Sequence, residues 1–95
     1  MKIKKGFLLR KIADTNIVIP IGGGNNDRKG MLLNETGSFL WRRLEEGLDL
    51  EQMAAALSKE YGIELKMAQT DTGNFIEALR CADMLDRENS KKKVI

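Results

Sequence analysis

The residues that could carry chemistry are few, and their types narrow the field. The chain has no histidine and one cysteine in 95 residues. Histidine is the common general base and metal ligand near neutral pH. Its absence removes Ser-His and Cys-His nucleophile pairs and most transition-metal sites. A lone cysteine allows no intramolecular disulfide. Cys81 falls inside a helical pattern and reads as a small buried or half-buried apolar residue. Glu45–Glu46 and Asp83–Asp86 are the acidic pairs to weigh. Paired acid and base groups need environments that drive their pKa values apart. These pairs lie near helix ends among charged neighbours, which reads as a solvated face. A Ser-Lys pairing has nothing in its favour. No catalytic group, metal or cofactor is expected.

The glycine-rich stretch 22–30 invites a nucleotide reading. A P-loop needs Gly-Lys-Ser/Thr opening a helix, so that amides and lysine face the phosphates. Here Lys29 precedes Gly30 and Met31, and a strand-like segment follows. A dinucleotide fingerprint fails too, because Asp27 stands where the third glycine belongs. The stretch reads as a hairpin loop.

Charge gives a second constraint. The formal net charge is +2, from 16 basic and 14 acidic residues, and Lys91–Lys93 supply three of the positives. Without residues 91–95 the balance is 13 basic against 14 acidic, or −1. A neutral body with a basic tail lacks the basic face of a nucleic-acid binder. The longest apolar runs, such as Ile17–Ile21, fall far short of the ~20 residues of a membrane helix. No secretion signal is visible, so a cytoplasmic protein is expected.

These residues need a frame. Phe7–Ile12 reads as a strand, Ala13–Asn16 as a turn cluster, and Asn16–Ile21 as a β-branched strand. Pro20 cannot donate to a ladder and belongs at an edge or a strand end. Met31–Leu33 is a short third strand. Three helices follow. Asn34 caps the first, which carries Phe39, Leu40, Trp41 and Leu44 and ends at Gly47. Trp41 reads as core. Asp49 with Gln52 forms a capping box for the second helix. Its apolar stripe is Leu50, Met53, Ala54, Leu57 and Tyr61, and Gly62 stops it. The third helix runs from about Lys66 into the low 80s, with Ala68, Thr72, Phe75, Leu79 and Ala82 as its stripe and Ile76 beside them. Met53 and Met67 read as core fillers.

The chain is therefore expected to be α+β: a three-stranded antiparallel sheet followed by three helices, in a winged helix-turn-helix layout. Residues 1–86 form the domain, and 87–95 form a basic, disordered tail. That layout also suits a DNA-binding or regulatory module. Residues 67–87 argue against it, with Arg80 and Arg87 facing Asp71, Glu77, Asp83 and Asp86, a net of −2. Phosphate contacts dominate DNA affinity, so such a helix is repelled.

The run Leu33-Asn34-Glu35-Thr36-Gly37-Ser38-Phe39-Leu40-Trp41 resembles the signature of the PqqD family, the pyrroloquinoline quinone biosynthesis protein D-like proteins. The resemblance extends from about residue 5 to 85. The motif residues have structural roles of their own: Asn34 caps, Gly37 permits a close approach, and Trp41 fills the core. The resemblance implies a non-catalytic peptide-recognition domain, also called a RiPP recognition element. Such a domain binds the leader of a ribosomally made precursor peptide. It presents that leader to a modifying enzyme, typically a radical S-adenosylmethionine maturase. The leader adds as a strand to the sheet edge beside the third helix. The residues assigned to that edge are Met31, Leu32 and Leu33. The groove wall is Asn74, Phe75, Ala78 and Leu79, with Asp71 and Arg80 on its polar rim. Phe75 and Leu79 can equally be core, and the edge can instead pair with a second copy in a homodimer. Relatives commonly have glycine where this chain has Asp83, which leaves the end of the third helix open.

Overall fold

A computed structural model of the chain describes residues 2–21 and 30–85. Residues 22–29 of the glycine-rich stretch, and the segment from Asp86 onward with its domain boundary and tail, lie outside the described residues. Three strands come first: β1 (Phe7–Ile12), β2 (Thr15–Pro20) and β3 (Met31–Leu33). Three helices follow: α1 (Glu35–Glu45), α2 (Leu50–Tyr61) and α3 (Leu65–Cys81). The strands form one antiparallel sheet in the order β1-β2-β3. The expected α+β architecture is the observed one.

The hairpin between β1 and β2 is tighter than the turn cluster suggested. Ile12 pairs with Thr15, which leaves Ala13 and Asp14 as the loop, with Ala13 at φ 57°. Pro20 ends β2, opposite Phe7, where its missing N–H costs no interior ladder bond. The register sorts side chains by face, since cross-strand partners share one. Leu9, Val18 and Met31 form one row, and Phe7 and Leu33 lie on the same side. These residues pack against the helices, with Val18 fully buried. The other face carries Leu8, Ile17, Ile19 and Leu32 around the exposed Arg10.

Beneath the sheet, Leu40, Trp41 and Leu44 of α1, Met53, Ala54 and Leu57 of α2, and Ala68, Ile76 and Leu79 of α3 form the core. Trp41 is fully buried, and its indole N–H donates to Glu45 at 3.0 Å. The helix starts follow the capping logic. Asn34 Oδ1 accepts from the Gly37 amide at 2.7 Å, and Asp49 and Gln52 make the reciprocal capping box. Gly62 ends α2 in the left-handed region. Where α1 meets α2, Phe39 packs edge-on to Tyr61, and Arg43 stacks over the Phe39 ring at 4.8 Å.

Helical geometry corrects several expected placements. The buried positions of α3 are Ala68, Thr72, Ile76 and Leu79. Met67 lies one position, about 100°, off that stripe, and is 55% exposed rather than a core filler. Cys81 and Ala82 turn outward past Leu79, so the thiol is exposed rather than buried. Leu50 and Tyr61, at the two ends of the α2 stripe, are also exposed.

The end of α3 is settled by Asp83, which takes φ 60°, in the left-handed region. The Met84 amide bonds the Leu79 carbonyl at 2.9 Å, and the Asp83 amide bonds that of Arg80 at 3.0 Å. This is a Schellman closure, and it drives Met84 into the core beside Leu79. The N-terminal segment seals the exit. Ile3 bridges Leu85, the Lys4 amide bonds the Met84 carbonyl, and Lys4 Nζ meets Asp83 at 2.7 Å.

Candidate functional site

β3 is an edge strand. Its inner side pairs with β2 in the register Asn16–Leu33, Ile17–Leu32 and Val18–Met31. Among the described residues no strand pairs with its outer side. Alternate N–H and C=O groups of that edge face away from the sheet, a ready template for another strand. Met31 and Leu33 turn toward the helices and are half-buried. Leu32 points to the uncovered face and is 69% exposed.

Where β3 ends, Asn34 turns the chain into α1. The first turn of α1 lies beside the middle of α3. Asn34, Thr36, Gly37 and Leu40 face Asp71, Asn74 and Phe75 across a cleft of about 360 Å³. Gly37 keeps this corner narrow, since a Cβ there would sit 3.0 Å from Asn34 Oδ1 and 3.5 Å from Leu33. A second cleft, of about 520 Å³, lies on the other side of Asn34. Leu32, Leu33 and Asn34 line it with Lys11, Asp14, Thr15 and Asn16 of the hairpin end.

The structure thus brings Asp71, Asn74 and Phe75 together in one cleft, next in sequence and space to Leu33. Helical spacing explains it: positions three and four apart share a face. Asp71 and Asn74 are exposed, while Phe75 is half-buried and packs on the core. Ala78 is exposed one turn further along and lines neither cleft. Leu79 is fully buried, so it holds α3 against the core and presents no surface. Sequence reasoning did not assign Asn34, Thr36, Gly37 and Leu40 to the groove. Their cap and core roles were legible, but that these roles also build a cleft wall depends on how α1 packs on α3.

The acidic pairs make no catalytic arrangement. Glu45 accepts from Trp41, and Glu46 pairs with Arg43 at 2.8 Å. Asp83 is spent on the α3 exit, and Asp86 lies outside the described residues. Among the described residues no cluster of three or more His, Cys, Asp or Glu side chains could hold a metal. None of their helices is long and apolar enough to cross a membrane.

Comparison with known proteins agrees with this geometry. One solved structure, described as TbiB1 in complex with the TbiA(beta) leader peptide, superposes with a TM-score of 0.75 at 26% identity, covering 95% of this chain and 100% of that one. Another, described as lasso peptide synthetase B1 complexed with the leader peptide, has a TM-score of 0.76 at 17% identity, over 90% and 96% of the two chains, and shares the fold. No curated protein matches the sequence. The family profile of coenzyme PQQ synthesis protein D (PqqD) matches residues 25–85. That span runs through the edge strand, the Asn34–Trp41 signature and all three helices, and on it the chain belongs to the PqqD family.

Proposed function

We propose that this domain is a non-catalytic, cytoplasmic adaptor. It binds the leader segment of a ribosomally made precursor peptide and presents it to a modifying enzyme, a radical S-adenosylmethionine maturase or another peptide-modifying enzyme. The observation that carries this reading is the outward edge of β3, set beside an apolar-floored cleft against α3. An extended peptide adding there gains backbone hydrogen bonds for affinity and cleft contacts for specificity. TbiB1, which resembles this chain over nearly its full length, was solved with a leader peptide bound. The binding residues are then the β3 backbone from Met31 to Leu33, with Asp71, Asn74 and Phe75 along the groove and Ala78 at its far end.

Pairing of two copies through the β3 edge would use the same hydrogen-bonding groups, so homodimer and peptide complex would exclude each other. Leader peptide would then dissolve any such dimer. The test is titration of isotope-labelled protein with the leader of a precursor peptide encoded beside it. Chemical-shift changes should concentrate at Met31–Leu33 and along residues 71–80. A bound peptide that leaves both segments unmoved contradicts the binding mode.

A further inference from the structure

We propose that the cleft beside Asn34 selects an arginine side chain of the bound peptide. This rests on the peptide-binding reading above and adds the chemistry of one peptide position. Side chains of an added strand alternate between the two faces of the sheet, as Met31 and Leu33 alternate with Leu32. Those on the helix side therefore enter the cleft next to Leu33.

The lining of the cleft defines what fits. Its floor is apolar, from Leu40 and the Phe75 ring, and suits a long aliphatic stem. Asp71 is the charged residue among its lining side chains. It stands one turn before Phe75, so carboxylate and ring share a face of α3. Neither Asp71 nor Asn74 has a side-chain partner among the described residues. Asn34 Oδ1, by contrast, already accepts from the Gly37 amide and from Thr36 Oγ1 at 3.1 Å. The acceptors left at the mouth are thus the Asp71 carboxylate, the Asn74 amide oxygen and the Thr36 hydroxyl oxygen, of which only the carboxylate is charged.

Guanidinium matches that set better than ammonium. Its plane can stack on the Phe75 ring while its fork bonds a carboxylate through two N–H groups. An acidic side chain would meet Asp71 directly, and the Gly37 amide that could attract it is occupied by Asn34. A plain aliphatic side chain would fill the floor and leave Asp71 unpaired.

The test is selection of a displayed library of random 12-residue peptides on the full chain. Enriched sequences are then synthesised with arginine or norleucine at the varied position. The expected result is enrichment of arginine at one register position, in peptides that shift Met31–Leu33. Asp71→Asn should weaken the arginine peptide about five-fold and leave the norleucine peptide within about two-fold. Asp71→Lys should turn the selection toward glutamate. Asp71 is exposed, so both variants should melt like the parent, which separates lost recognition from lost folding. Peptides that shift β3 without a basic preference, or that bind Asp71→Asn equally well, overturn the arginine pocket and leave strand addition standing. A library that yields no peptide shifting β3 overturns the strand-addition reading itself.

Discussion

Thr72 sits in the middle of α3 at 0% exposure, and its hydroxyl has no hydrogen-bond partner among the described residues. A buried hydroxyl without a partner carries a desolvation cost that a methyl group of similar shape does not. Thr72→Val should therefore raise stability by about 1 kcal/mol. In a domain of this size that is a melting temperature higher by roughly 4–8 °C. Peptide affinity should stay the same, because Thr72 offers no surface to the groove. A lower melting temperature would show that the hydroxyl is bonded in the folded protein. The same scale shows what single residues could reveal in sequence. Asn34, Asp49 and Gln52 announced their caps because the partner amide is three residues away. Met67 and Cys81 misled because apolar type is a weaker guide than angular position on the helix: each lies off the 68–72–76–79 stripe.

At the scale of elements, β3 depends on a close approach that the sequence does not display. A Cβ on Gly30 would lie 2.8 Å from the Val18 carbonyl oxygen, a backbone atom with little room to retreat. Gly30→Ala should displace the start of β3 from β2 at a cost of about 1–3 kcal/mol. Peptide affinity should fall with it, as thermal melting and a binding titration on the same sample would show. Unchanged stability and affinity would mean that β3 tolerates a shift and is not a rigid template. The end of α3 was legible only in part. Asp83 could be recognised as a residue that tolerates the left-handed region, but the stop becomes definite through distant partners. Those are Lys4 on its side chain and Ile3 beside Leu85. Contacts between residues some eighty positions apart leave no local pattern in a sequence.

For the whole molecule, element order carried the architecture: β-branched strands, then capped amphipathic helices, with little chain left for another arrangement. The groove was half legible. Asp71, Asn74 and Phe75 follow from helical spacing once α3 is drawn, whereas the α1 wall opposite them follows only from packing. The helix α3 itself is charge-balanced, because Asp83 lies past its end and Asp86 and Arg87 lie outside the described residues. Its basic residues are Lys66 and Arg80, against Asp71 and Glu77, and Arg80 is tied to Glu77 at 3.0 Å. The sheet has two outer strands, β1 and β3, and only β3 adjoins the cleft.

That asymmetry sets the most direct test, amide hydrogen exchange of the full chain with and without bound leader peptide. Strand addition at β3 predicts that outward-facing amides of residues 31–33 become slow on binding while the outer amides of β1 keep their free rates. Protection that appears along β1, or binding that leaves residues 31–33 exchanging as before, would contradict it.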